Sequence, residues 1–250
     1  MRVLKIKMFI YMALALSTLF YITTGIQYWI SDYLQIVLEV PADEVFYFFS
    51  FTCLSAPFLG IVTGGICFAS VGGYNSDKAF PLLIFVGTLA GASAIPAPFL
   101  HNKYAMYLLQ WCLFYFGAFL LPTMTGIMLN SVDVQRRTTA NSLATLSYNM
   151  FGYLPAPFIY GWISSQGNDI IAASRRAMAC LMFASIATFI LLLLGFREKL
   201  KLRQSDQPIS SDEEVLAAEA EEHDHLVGDT GGNHYLRSVA KDGMDRSQIS

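Results

Sequence analysis

Long stretches with no charged side chain alternate with short polar connections along most of this chain. Met8–Ser31, Val45–Ser76, Ala79–Asn102, Tyr104–Val132, Thr138–Asn168 and Ala177–Phe196 contain no Asp, Glu, Lys or Arg. Each reaches the about 20 residues that an α-helix needs to cross about 30 Å of hydrocarbon. Outer-membrane barrels are built instead from alternating segments of about 10 residues. Backbone groups in lipid must bond within their own segment, so each run is expected to be a helix. The pattern predicts an all-α polytopic membrane protein with six transmembrane helices. A basic start at residues 1–7 precedes the bundle at 8–200, and an acidic tail follows at 201–250. Met8–Gly25 is too long for a signal peptide and lacks a small-residue cleavage site, so it reads as an uncleaved first span.

Charge sets the orientation. Arg2, Lys5, Lys7, Lys78, Arg136, Arg137, Arg197, Lys199, Lys201 and Arg203 fall on one side of such a six-span chain. Lys103, Arg175 and Arg176 fall on the other. The positive-inside rule then places both termini in the cytosol, in a membrane that the sequence does not name. Composition agrees with a membrane protein: 54% of the 250 residues are hydrophobic and 14% are charged, against about 25% charged in soluble domains. The net charge of −3 divides unevenly. Residues 1–203 hold 13 Lys or Arg and 8 Asp or Glu, whereas residues 204–250 hold 3 and 11. No basic cluster remains away from the membrane flanks, which argues against a nucleic-acid partner. The tail has the composition of a disordered cytosolic segment. Within it Ser210 and Ser211 precede an acidic run that suits acid-directed kinases, and His223, Asp224 and His225 read as solvated residues.

The spans are rich in Gly and Pro. Pro57, Gly60 and Gly64 lie in the second, Gly87, Gly91, Pro96 and Pro98 in the third, and Pro122 in the fourth. Gly152, Pro155 and Pro157 lie in the fifth. Glycines let helix backbones approach closely, while prolines free carbonyls and favour kinks, so helix breaks are expected at Pro57, Pro122, Pro155 and Pro157. Ala56-Pro57-Phe58-Leu59-Gly60 recurs with one insertion as Ala156-Pro157-Phe158-Ile159-Tyr160-Gly161. The second and fifth of six spans are equivalent positions in a three-plus-three inverted repeat, where interrupted helices mark a transporter's working interface.

Polar side chains within the spans are few, and they are the candidates for a substrate path: Gln27, Trp29, Gln110, Tyr148 and Asn149. An amide at membrane depth must bond to another helix or to a ligand. If these residues serve a path, Gln27, Gln110 and Asn149 should face one cavity. No ionisable side chain lies within a span, His101 belonging to a loop, so the proton relays and ion paths of pumps have no evident group here. An enzyme is not expected: an intramembrane serine protease needs an embedded His, and a di-metal oxidase needs clustered His ligands. No metal or other cofactor is implied.

Gly64-Gly65, then Gly72-Gly73-Tyr74-Asn75-Ser76-Asp77-Lys78, resembles the second copy of the loop motif of the major facilitator superfamily. Arg136-Arg137-Thr138-Thr139-Ala140 is similar to the basic start of a helix in spinster-like members of that superfamily. Gly152-Tyr153-Leu154-Pro155-Ala156-Pro157, followed by Tyr160-Gly161, resembles the eleventh helix of spinster-like and of organic-anion carriers alike, and Gln27-Tyr28-Trp29 is similar to the aromatic segment of the first helix of the superfamily's C-terminal half. The resemblance covers roughly residues 8–200 and corresponds to the C-terminal six-helix half of the fold. It implies that the first, second, fourth and fifth spans line a central path. It also implies that Gly72, Gly73, Asp77, Lys78, Arg136 and Arg137 belong to a cytosolic gate. The implied activity is alternating-access transport of an amphipathic organic solute, such as a lysolipid or sphingoid lipid. A complete member has twelve helices, so the partners to expect are a substrate, membrane lipids, and either a missing N-terminal half or a second copy. The chain reads as a fragment, a truncated gene model or a dimerising half-transporter. The alternative is a non-transporting scaffold that acts through its acidic tail.

Overall fold

A computed structural model describes residues 3–74 and 76–206 of the chain. Two units divide it, residues 1–200 and residues 201–250. The first holds the helical bundle, and the second is described only as a helical stretch up to Asp206. The candidate phosphorylation and histidine positions of the tail lie outside the described residues.

The described residues form helices and connections without a strand. The principal helices are α1 (Lys7–Val37), α2 (Ala42–Ser70), α3 (Ala79–Ala94), α4 (Lys103–Asn130), α5 (Arg137–Tyr148), α6 (Pro155–Ser164) and α7 (Ile170–Asp206). Five segments are long and apolar enough to cross a membrane: α1, α2, α3 with its short C-terminal extension to Phe99, α4 and α7. The fifth expected span does not form one regular helix. It comprises the 12-residue α5, a π turn over Asn149–Tyr153 and the 10-residue α6. Pro155 and Pro157 lack the N–H groups that would return to the carbonyls of Phe151 and Tyr153. The chain responds with a wider bond, Leu154 N–H to Asn149 O at 3.1 Å. Pro57 and Pro122, each alone, are accommodated within continuous helices, contrary to the breaks expected there. Pro96 and Pro98 lie beyond α3, in the turn and the 3₁₀ segment Ala97–Phe99 that end the third expected span early.

Directions follow from paired contacts. Ser55 meets Trp111, while Gly60 packs on Tyr115 and Gly64 on Phe119, so α2 and α4 run parallel. Ser17 meets Ser147, Phe20 meets Tyr148 and Trp29 meets Tyr160, so α1 runs parallel to α5 and α6. Helix α7 is antiparallel to both α1 and α3. Thr18 bonds to Thr188 and Gly25 packs on Leu181. Phe80 meets Phe196 and Gly87 packs on Leu192.

Close approaches explain where glycine is required. A Cβ at Gly152 would sit 2.7 Å from Ser17 O, and one at Gly60 would collide with Tyr115 O. Two buried clusters fill the bundle. One gathers Met12, Leu16, Phe80, Leu83 and Met124, and the other Ile26, Ile30, Tyr33, Met106 and Leu181.

Polar bonds tie each end of the bundle. At one, Lys103 Nζ donates to Glu44 Oε2 at 2.8 Å, Tyr107 O–H donates to Glu44 Oε1, and Arg175 donates to the carbonyls of Pro98 and Leu100. At the other, Lys199 Nζ donates to Ser76 O at 2.7 Å.

Candidate functional site

A cleft of about 210 Å³ opens between α1, α2, α4 and the π turn. Leu19, Phe20, Thr23 and Gln27 form its α1 wall, and Phe114, Gly117, Ala118 and Leu121 its α4 wall. Pro57 and Tyr153 close its sides. The walls follow helical spacing: residues at i, i+1, i+4 and i+8 of α1 share one face, as do residues at i, i+3, i+4 and i+7 of α4. Gly117 faces Leu19, whose Cδ1 would make an ordinary contact with a Cβ there at 3.6 Å. Thr23, Gln27 and Tyr153 give the cleft polar edges. Among the described residues, no charged side chain lines it.

The five residues expected along a path divide by environment. Gln27 lines the cleft and is exposed. Gln110 does not line it. Its side chain is 1% exposed, and both amide atoms are buried without a hydrogen-bond partner. Asn149 is exposed, and its Nδ2 donates to Thr145 O at 2.8 Å, which ties the start of the π turn to the last turn of α5. The three amides therefore do not meet in one cavity, contrary to the expectation for a shared substrate path. Tyr148 donates to Thr145 Oγ1, and its ring lies 4.7 Å from Phe20. Trp29 donates from Nε1 to Pro157 O at 3.0 Å and stacks on Tyr160 at 4.8 Å, which fastens α1 to α6.

The expected gating residues occupy one end of the bundle. Gly72 and Gly73 adopt positive φ angles of 95° and 76°, the left-handed region that glycine enters without steric cost. They end α2, with Gly73 N–H returning to Phe68 O at 2.9 Å. Tyr74 then packs against α4, where a Cβ on Gly126 would lie 2.8 Å from its ring. Asp77 and Lys78 complete the turn into α3. Arg136 closes a 3₁₀ turn, and Arg137 begins α5 with its Nε buried and unpartnered.

The residues that sequence reading did not single out are Leu19, Phe20, Phe114, Leu121 and Tyr153. Nothing in their chemistry separates them from the other apolar and aromatic residues of the spans. Their shared helical faces were the available signal, and it required knowing which helices pair. Among the described residues, no three of His, Cys, Asp and Glu gather to hold a metal. No family model matches the chain, and no curated protein matches it.

Proposed function

We propose that this chain is a membrane transporter, or half of one, of the major facilitator type. It moves an amphipathic organic solute of the lysolipid or sphingoid kind by alternating access. The observation that carries this reading is the cleft itself. It combines an apolar wall with uncharged polar edges, and it lies among the helices that the resemblance assigns to a central path. At about 210 Å³ it is smaller than the 300–1,000 Å³ usual for a ligand pocket, as half of a pocket would be. Gln27 lines it and Asn149 of the π turn is exposed, and amides at membrane depth are costly against lipid. A second six-helix body, from a missing half or from another copy, would cover both. In this reading α5, the π turn and α6 together make the fifth of six spans, with both termini in the cytosol.

The test is uptake of a labelled lysolipid or sphingoid lipid into vesicles that contain the full chain, alone and with any longer native form. Gly117→Phe fills the cleft and should abolish uptake while the protein stays monodisperse. Uptake that survives Gly117→Phe, or no uptake of any amphipath by either form, would sink the proposal. Activity that depends on the 204–250 tail instead would favour a scaffold.

A further inference from the structure

Gln110 is the most conspicuous unspent polar group in the bundle, because neither its donor nor its acceptor is used and its side chain is 1% exposed. An orphaned buried amide in a native structure calls for a role or an unplaced partner. Its position suggests the role. Gln110, Phe114, Gly117 and Leu121 fall at i, i+4, i+7 and i+11 of α4, so Gln110 is the next member of the stripe that forms the cleft wall.

Across the cleft, Leu19 of α1 packs at Gly117. From that level α1 rises eight residues to Gln27, about 12 Å, and α4 runs seven residues back to Gln110, about 10 Å. The two amides therefore stand at one height on facing helices, one lining the cleft and one just behind its wall. Thr24 of α1 and Thr52 of α2 add two more buried hydroxyls without partners. Ser55, three residues beyond Thr52, bonds to Trp111 beside Gln110, so Thr52 lies within about a turn of the same level.

We infer that Gln27 and Gln110 form the recognition end of the cleft. They bind the uncharged, hydrogen-bonding head of an amphipath, a hydroxyl or carboxamide, while its chain lies against Leu19, Phe114 and Leu121. The inference rests on the proposed carrier reading and replaces its charged lysolipid and sphingoid candidates with neutral-headed amphipaths. Burying an ion away from water costs several kcal/mol unless an opposite charge meets it, and no charged side chain lines the cleft among the described residues. Amides and hydroxyls, by contrast, supply both donors and acceptors to a neutral head. Gln110 lies one turn beyond Phe114 on the same stripe, and in this inference its flexible side chain turns past that ring to meet the head at the end of the cleft.

The experiment measures saturable binding of three chain-matched probes to the purified full chain in nanodiscs. They are a monoacylglycerol with a neutral head, a zwitterionic lysophosphatidylcholine and a cationic long-chain amine. The monoacylglycerol should bind tightest. Gln27→Leu and Gln110→Leu should each weaken it about 5- to 10-fold, the loss of one or two neutral hydrogen bonds. Ser185→Ala, in the separate α3–α7 groove, controls for folding and should leave binding within twofold. Equal or tighter binding of either charged probe overturns the inference, as does unchanged affinity in both Gln variants. Uptake of a charged amphipath without monoacylglycerol binding keeps the carrier reading and removes this one. Binding as expected with no uptake by any form removes the carrier reading and keeps the recognition end.

Discussion

Replacing Gln110 by Leu should make the protein more stable. Most core substitutions do the opposite. Gln110 lies on α4 among buried Met106, Leu113 and Phe114, and its amide oxygen and nitrogen are both enclosed without a partner. A buried polar group left unsatisfied costs about 1–3 kcal/mol, and Leu and Gln differ little in helix propensity. Leu therefore removes the penalty while filling similar space, and the expected gain is about 1–3 kcal/mol. Asn149 provides the contrast, because its Nδ2 is bonded to Thr145 O at 2.8 Å. Asn149→Leu gives up that bond and should lose about 0.5–1.5 kcal/mol. The assay heats each variant in the same detergent and measures by gel filtration the fraction that remains monodisperse. A shift of about 2–4 °C per kcal/mol is expected for a chain of this size. A lower midpoint for Gln110→Leu than for the parent would refute the reasoning, because it would show that the amide is satisfied in the folded protein. Stability gained together with weakened monoacylglycerol binding would mark Gln110 as a residue held at a stability cost for function, the common trade-off at binding sites.

Adjacent glycines on α2 should behave oppositely. A Cβ at Gly64 would lie 3.0 Å from Phe119 Cα, whereas nothing lies within 4 Å at Gly65. Gly64→Ala should cost about 1–3 kcal/mol by forcing α2 from α4, and Gly65→Ala should gain about 0.5–1 kcal/mol; the same heating assay ranks them. Gly73→Ala meets no neighbour, but its φ of 76° remains, so a loss of about 1 kcal/mol from backbone strain alone is expected. Trp29→Phe keeps the stack on Tyr160 but loses the bond to Pro157 O. It should cost about 0.5–1.5 kcal/mol, and amide exchange in α6 should rise while that in α7 stays unchanged.

The helices were legible because charge is excluded from hydrocarbon over lengths that only a helix can use. The break in the fifth expected span was harder to place. Pro57 and Pro157 share an Ala-Pro-Phe context, yet Pro57, like Pro122, sits within an intact helix. Two prolines spaced by one residue remove donors at successive positions on the same stretch, and a lone proline does not. The resulting π turn adds a residue to one turn and rotates everything beyond it. Helical phase counted from α5 therefore fails in α6. Gln27 and Gln110 stood out as amides among apolar neighbours, but only the pairing of α1 with α4 places them at one level. Leu19, Phe114 and Leu121 had no chemical mark at all.

The repeated Ala-Pro-Phe segment gains weight from its surroundings rather than from its letters. Ala56 and Ala156 are both fully buried, while Phe58 and Phe158 are 66% and 74% exposed. Beside each segment a tryptophan N–H arrives from the parallel neighbour: Trp111 of α4 donates to Ser55 Oγ, and Trp29 of α1 donates to Pro157 O. A chance match of five residues accounts for the letters but leaves the shared burial and the tryptophan donors as separate coincidences. Exchange of α1–α3 with α4–α7 accounts for them together, because it carries the α2–α4 pair onto the pair formed by α1 with α5 and α6. That exchange also carries α1 onto α4, the helices of Gln27 and Gln110. In the proposed carrier reading the two amides then stand on equivalent helices at one level, Gln27 lining the cleft and Gln110 behind its wall.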